Sequence, residues 1–172
     1  GRLLVRAGAV CFMVVGCFII IERKIKKRSR AEELLEYNAW LVENVSDAIF
    51  SVDPYFVIRS WNKGAEHIYG WTAEEAIGKH AEILLHTLHQ GMPLQELMER
   101  FETDGFVNTE VIQENKAGEK LHVLVSSSAI FDEEKRITGA VVVNRDVTEA
   151  KKAAQQINYL AGLVAQSGDA II

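Results

Sequence analysis

The chain has 172 residues, of which 48% are hydrophobic and 25% charged, so it is globular and not intrinsically disordered. Residues 1–30 carry eight Lys/Arg and one Glu (+7), and residues 31–172 carry eleven Lys/Arg and 23 Asp/Glu (−12). The acidic globular part argues against nucleic-acid binding, which needs a basic face to neutralise phosphates. Both cysteines, Cys11 and Cys17, lie in the first apolar stretch, which excludes a disulfide framework and a cysteine zinc cluster.

The first segment is apolar from Leu3 to Ile21 except for Arg6. A helix crosses a bilayer with about 20 apolar residues, so 3–21 is predicted to be a transmembrane helix. Six Lys/Arg follow within 22–30 and place the rest of the chain in the cytoplasm, at a cell (inner) membrane. A signal peptide is an alternative interpretation, but no small-residue cleavage site follows the apolar run. A buried soluble helix is a third interpretation.

Residues 22–44 are predicted to form a basic juxtamembrane segment that runs into an amphipathic linker helix over 31–44. The residues that recur at spacings of three and four are Leu34, Leu35, Asn38, Leu41, Val42 and Val45. Such a stripe either forms a short two-stranded coil in a homodimer or packs on the domain's own sheet, and both remain open.

Residues 47–71 contain the most specific pattern in the chain. Ala48–Val52 is a β-branched apolar run that predicts a strand. The turn dipeptide Asp53-Pro54 follows, and Phe56–Trp61 is predicted to be a second strand that pairs with the first as a hairpin.

Helix signals follow this hairpin directly. Asn62 stands at an N-cap position, and Gly70 is placed to end the helix that Asn62 begins. Thr72 with Glu75 three residues later predicts a capping box for a second short helix.

The sequence pattern in the second half of the chain predicts one helix, three strands and a closing helix. Their predicted ranges are Leu94–Phe101, Phe106–Glu114, Leu121–Phe131, Ile137–Asp146 and Glu149 to about Gln166, with Gly105 ending the first helix and a turn at residues 115–118. Two early strands and three late ones predict an α+β fold, a five-stranded antiparallel sheet with helices on one face.

The chain resembles the PAS domain family over 41–148. The resemblance lies in the order of hairpin, short helix and short helix, and in three motifs: Trp61-Asn62, the run Tyr69–Lys79 and the closing Asp146-Val147-Thr148. The resemblance implies a sensor and dimerisation module of a bacterial signalling receptor, as in sensor histidine kinases, whose flanking helices repack in a homodimer. A diguanylate cyclase sensor and a ligand-free spacer are the alternatives. We find no catalytic constellation in these residues, so any enzymatic output would lie in another domain.

The end of the chain repeats its beginning. Tyr159–Ile172 matches Tyr37–Phe50 at seven of fourteen positions at one offset. This predicts a linker helix at 149–162 and the start of a second PAS domain at 163–172.

A PAS fold places apolar side chains between sheet and helices, either as a closed core or around a small-molecule cavity. The cavity candidates are Trp61, Ile68, Leu84, Leu97, Val125, Val142 and Asn144. Ile83 is predicted to lie in the core but is not a cavity candidate. Asp146 and Thr148 are the candidates for passing a signal to the exit helix.

Cofactors are restricted by the residue types that are present. His86 and His89, three residues apart on a predicted helix, are weak candidates for a haem ligand, and surface histidines are the alternative. We predict no metal cluster, because these histidines have no acidic or cysteine partner at ligand spacing. The lack of cysteine within 41–148 excludes the cysteine-adduct photochemistry of flavin-binding PAS relatives.

Overall fold

The computed structural model describes residues 26, 30, 33–89 and 93–168. The predicted transmembrane segment, 3–21, lies outside these residues, as does the end of the predicted second domain, 169–172. Over the part that the structure describes, none of the helices combines the length and apolarity needed to span a bilayer. The chain divides into two units between Val42 and Glu43.

Helix α1 covers 33–43, and all but its last residue belong to the first unit. The apolar side chains of its stripe are exposed, with Leu34 at 60% and Leu35 at 68% of their full accessible area. Residues 33–43 are therefore helical with exposed apolar side chains, and the role of this helix as a linker stays a prediction.

The second unit holds a sheet and short helices in the order β-β-α-α-α-β-α-β-β-β-α. The elements are β1 (Ala48–Val52), β2 (Ile58–Trp61), α2 (Lys63–Tyr69), α3 (Ala73–Ala76), α4 (Ala81–Leu84), β3 (Leu88–His89), α5 (Leu94–Asp104), β4 (Phe106–Glu114), β5 (Lys120–Phe131), β6 (Ile137–Asp146) and α6 (Thr148–Gly168).

The sheet has six strands in the order β2-β1-β6-β5-β4-β3, and all neighbouring pairs are antiparallel. The prediction of five strands was wrong by one, because Leu88 and His89 pair with Ile112 and Val111 at the edge. Two residues are too few for an alternating pattern to be recognised in a sequence.

The opening hairpin is shorter in its second strand than predicted. Oδ1 of Asp53 accepts hydrogen bonds from the backbone N–H groups of Tyr55 (2.9 Å) and Val57 (3.0 Å). These bonds extend the turn and place Phe56 at φ 59°, in the left-handed region. The strand therefore begins at Ile58 and not at Phe56.

The predicted helix boundaries in this region are confirmed. Asn62 is 2% exposed, and its Oδ1 accepts from the N–H groups of Ala65 (2.8 Å) and Ile49 (2.9 Å). Its Nδ2 donates to the carbonyl oxygen of Asp47 at 3.2 Å. One buried amide therefore caps α2 and ties it to β1.

The core lies between one face of the sheet and helices α2–α5. Strand residues such as Phe50, Val111 and Val123 pack there against Tyr69 and Leu85. The predicted core position Ile83 was wrong, since its side chain is 70% exposed. Helix α4 is a single turn that buries its Ala81 side, and a residue two positions later points away from that side.

Tyr69 is among the largest fully buried side chains of the described part and is hydrogen-bonded. Its hydroxyl donates to Oε1 of Gln113 at 2.5 Å and accepts from Nδ2 of Asn144 at 2.7 Å. Burial raises the pKa of Tyr69 well above its usual value, although the bond from Asn144 acts in the opposite direction. The phenol is therefore neutral in the folded protein.

Replacing Asn62 with alanine is expected to lower the free energy of unfolding by about 3 kcal/mol, because a cap is lost and two partly buried backbone groups lose their partner. The matched control is Thr72→Ala, which removes an exposed cap and should cost about 1 kcal/mol. Urea unfolding of both variants measures the difference. Equal losses would contradict the central role of Asn62.

The buried phenol of Tyr69 predicts a stability that depends on pH in alkali. Since its pKa is higher in the folded than in the unfolded chain, its contribution is complete below pH ~10 and is lost as pH rises further. Above that pH, the free energy of unfolding of the wild-type protein, measured in urea, should fall with pH more steeply than that of Tyr69→Phe. The difference in slope should be about 1.4 kcal/mol per pH unit. Tyr55→Phe, at an exposed position, should keep the wild-type slope.

Candidate functional site

A cavity of about 250 Å³ lies between the inner face of the sheet and helices α4 and α5. Apolar side chains form most of its wall, from β1 (Phe50, Val52), α5 (Leu97, Met98, Phe101), β4 (Val107, Val111), β5 (Val125) and β6 (Ile137, Val142). It is therefore a concave, mostly apolar site with few polar groups, the general form of a small-molecule site.

Four of the seven predicted cavity residues line this space, namely Leu97, Val125, Val142 and Asn144. The other three lie elsewhere. Trp61 packs on Phe50 and Tyr69, with ring centroids at 5.1 and 5.5 Å, and its indole N–H donates to the carbonyl of Trp71. Ile68 and Leu84 are partly buried against the core. A ligand role for any of the seven remains a prediction.

Three polar residues of the wall, Thr87, Gln113 and Asn144, belong to one chain of hydrogen bonds. Nδ2 of Asn144 donates to the Tyr69 hydroxyl and to Oε1 of Gln113, the latter at 3.1 Å. Nε2 of Gln113 donates to Oγ1 of Thr87 at 3.1 Å. Asn144 and Gln113 are both buried, so strands β6 and β4 are joined through their amides inside the protein.

Sequence reasoning missed Gln113 and Thr87. Gln113 lies in register with Val107, Val111 and the other inward residues of β4, at the alternation of two that a strand requires. A polar amide on the inward face of a strand was the signal that could have identified it. Thr87 carried no such signal, because it lies in the short segment between α4 and β3.

The two candidate histidines do not share a site on a helix. His86 follows α4 in the left-handed region at φ 44° and its Nδ1 lies 2.9 Å from Oε2 of Glu114, while His89 lies on β3. The helical interpretation was wrong because α4 ends at Leu84. Nε2 of His89 lies 3.0 Å from Oε1 of Glu82, and His89 lines the cavity.

Charges near the cavity are mostly negative. Asp53, Glu82 and Glu102 are among its lining residues, and Glu102 is exposed. Burial acts to raise the pKa of Asp53, but hydrogen bonds from the Val57 N–H, the Arg59 guanidinium and the Tyr55 N–H together hold that pKa below its usual value. Asp53 is therefore an anion at neutral pH. Among the described residues, no group of three His, Cys, Asp or Glu side chains could hold a metal ion.

The predicted exit residues lie where β6 passes into α6. Oδ1 of Asp146 accepts from the N–H of Thr148 at 2.8 Å, and Oγ1 of Thr148 accepts from the N–H of His122 at 2.9 Å. The N–H of Val147 donates to the carbonyl of His122 at 2.9 Å. Two hydrogen bonds to the backbone of His122 therefore hold the start of α6 on β5.

The entrance to the domain lies beside this exit. Asp47, just before β1, forms an ion pair with Arg145 of β6, with Oδ2 and Nη2 2.8 Å apart. Strand β1, which follows Asp47, and strand β6, which ends at Asp146, are neighbours in the sheet, and Ala48 lies opposite Asn144.

Comparisons with known proteins agree with this architecture. The profile of the PAS fold family matches residues 42–152. A probable diguanylate cyclase of Escherichia coli, DgcE, is 29% identical over 122 residues, covering 70% of this chain and 11% of that protein. The two-component system protein A of Emericella nidulans is 32% identical over 146 residues, covering 79% of this chain and 21% of that protein.

The chain therefore spans about a tenth and a fifth of the length of these two relatives. A crystal structure of a PAS domain from Colwellia psychrerythraea is 30% identical with a TM-score of 0.59, and the match covers 67% of this chain and 98% of that one. Residues 42–152, which the family profile matches, contain both the cavity and the junction of β6 with α6. With this profile match over more than half of its length, the chain belongs to the PAS domain family.

Proposed function

We propose that this chain is a membrane-anchored PAS sensor and signal-relay module of a larger receptor, and that it acts as a homodimer. A small molecule in the cavity, or the predicted membrane helix 3–21, biases the packing of the flanking helices α1 and α6. The proposed parent receptor is a sensor histidine kinase at a bacterial inner membrane, with the PAS domain in the cytoplasm.

One observation carries the proposal, namely the short path between cavity and exit helix. Asn144 lines the cavity on β6, and Asp146, two residues later on the same strand, accepts a hydrogen bond from the N–H of Thr148 at the start of α6. Few backbone torsions separate the three residues, so a displacement of Asn144 by a ligand would reach the first turn of α6. A long flexible loop would absorb such a displacement.

The dimer part of the proposal is supported by exposed apolar stripes on both flanking helices. On α1 the stripe includes Leu34 and Leu41, and on α6 Ile157 and Leu160 are 66% and 53% exposed. Apolar residues at spacings of three and four pair with a second helix in coiled coils. We therefore place the partner copy on these stripes.

Two alternatives use the same residues. In the first, the module serves a diguanylate cyclase, and the probable cyclase similar to this chain favours that output. In the second, the domain binds nothing and sets spacing in the dimer. A molecule retained in the cavity after purification, detected by native mass spectrometry, separates a sensor from a spacer.

Cysteine cross-linking tests the helix pairing. In a background with Cys11→Ala and Cys17→Ala, oxidation should join two copies through Ile157→Cys at least tenfold faster than through Gln155→Cys. Gln155 lies on the opposite side of α6, about 160° around the helix axis. Non-reducing gels over time measure the two rates.

The corresponding pair on α1 is Leu41→Cys with Glu36→Cys as its control. If all four positions cross-link at the same rate, or none does, the dimer pairing and the relay that depends on it are wrong.

Membrane anchoring is tested by charge insertion into the predicted span. Val14→Arg with Val15→Arg places two charges near its middle, where each costs about 3 kcal/mol on the insertion scale. The wild-type chain should stay in the membrane pellet after carbonate extraction and the variant should be released. Lys26→Arg with Lys27→Arg is the charge-neutral control, and release of the wild-type chain would contradict anchoring.

A further inference from the structure

We propose that the hydroxyl groups of Thr109 and Ser127 bind the carbonyl oxygen of a ligand inside the cavity, and that the rest of this ligand is an apolar body of one or two rings. This inference rests on the proposed sensor function and specifies what the sensor would detect. The size of the cavity, the state of its other polar groups and the position of the two hydroxyls carry it.

The size sets the upper bound on the ligand. An apolar cavity of about 150 Å³ in a protein core accommodates a single benzene ring. The volume of about 250 Å³ therefore suits one ring with substituents or two fused rings. The apolar side chains along most of the wall match such a body and give it no specific orientation, so a polar group has to orient the ligand.

The buried polar groups of the wall are closed to a ligand. The amides of Gln113 and Asn144 are 5% and 1% exposed, and they bond to each other and to the Tyr69 hydroxyl. The two buried polar atoms of the wall that have no hydrogen-bond partner, Oδ1 of Asn144 and Nδ1 of His89, are enclosed by protein atoms. A molecule in the cavity therefore does not reach them.

Two hydroxyl groups on the sheet differ from these groups. Thr109 of β4 and Ser127 of β5 line the cavity, on the same face of their strands as Val111 and Val125. Neither hydroxyl has a hydrogen-bond partner among the described residues, and neither oxygen is fully buried. Both O–H groups can therefore donate to a ligand.

The two hydroxyls are placed to share one acceptor. In the ladder of β4 with β5, Thr109 lies opposite Val125 and Ser127 lies opposite Val107, so the two hydroxyl residues are diagonal neighbours on one face. Such neighbours have Cβ atoms about 7 Å apart, and each Oγ is one bond from its Cβ. A carbonyl oxygen has two lone pairs and accepts from hydroxyls at about 2.7 Å. One ligand carbonyl between the strands can therefore bond to both.

The hydroxyls also discriminate against a ligand without a polar group. The backbone groups around them are engaged in the β4–β5 ladder, so water in the cavity is their alternative partner. A hydrocarbon that displaces this water leaves both O–H groups unpaired, which is unfavourable, whereas a carbonyl replaces the lost bonds. The preference for a carbonyl is thus a property of these two residues.

Two probes of the same shape test the inference on the 172-residue chain, ¹⁵N-labelled and held in phospholipid nanodiscs. The ketone 1-indanone has two fused rings and a carbonyl group, and indane has the same rings without it. Free probe concentrations are measured in the aqueous phase, and binding is followed by the backbone amide resonances of Thr109 and Ser127. The infrared carbonyl band of bound 1-indanone reports hydrogen bonds to its oxygen.

The deciding quantity is the ratio of 1-indanone affinity to indane affinity, compared between wild-type chain and variants, because the different hydration of the two probes cancels in this comparison. Thr109→Val and Ser127→Ala should each lower the ratio about fivefold, and the double variant at least tenfold. The control Ser128→Ala, at the next position on the exposed face of β5, should keep the wild-type ratio.

The carbonyl band of bound 1-indanone should lie at lower frequency in the wild-type chain than in hexane, and it should return toward the hexane position in the double variant. Where a variant does not fold, the band in the wild-type chain decides. An unchanged affinity ratio in the double variant, a wild-type band at the hexane position, or no binding of 1-indanone would each overturn the inference.

The cross-linking of Ile157→Cys is independent of these probes. If the helices cross-link as expected and 1-indanone fails, the assigned ligand class falls alone. If 1-indanone binds through the two hydroxyls while the helices do not cross-link, the relay falls and the hydroxyl site stands.

Discussion

The domain depends on one buried side chain, Asn62, because it satisfies backbone groups from three separate parts of the chain. Its amide binds the N–H of Ile49 in β1, the N–H of Ala65 in α2 and the carbonyl of Asp47 before the sheet. Gly64 allows the close approach that these bonds require, since a Cβ at this position would lie 2.2 Å from the Asp47 oxygen. Helix α2 is therefore registered on the sheet by hydrogen bonds and by the absence of one methyl group, and this registration puts Tyr69 into the core.

From this registration follows the placement of the cavity and of the two ends of the domain. Tyr69 reaches across the core to Gln113 and Asn144, so α2, β4 and β6 are joined by polar contacts at one end of the cavity. The remaining wall is mostly apolar and includes Leu97 of α5. In the proposed relay, sensing and output would share β6, because this strand holds both Asn144 and Asp146, and Asp146 accepts a hydrogen bond from the N–H of Thr148 at the start of α6. The proposed relay needs no element that the core does not already require.

Sequence patterns predicted the parts of the fold that local chemistry decides. The caps at Asn62 and Thr72 were identified because their hydrogen bonds close within three residues. The added edge strand at Leu88 was missed because its pairing comes from a distant strand, and Ile83 was misplaced because a one-turn helix shows no periodicity. For the site, the resemblance to the PAS family pointed to Val125 and Val142, whereas the polar Gln113 on the inward face of β4 was overlooked.

The ion pair between Asp47 and Arg145 means that the chain enters and leaves the sheet side by side. A segment with adjacent ends can be copied in tandem without threading one copy around another, and the repeat of Tyr37–Phe50 at Tyr159–Ile172 has the form that such a copying event leaves. In an array built this way one helix would serve as the exit of one domain and the entrance of the next. Gene duplication would then lengthen the receptor in fixed steps, and an insertion or deletion within the shared helix would rotate every later domain by about 100° per residue.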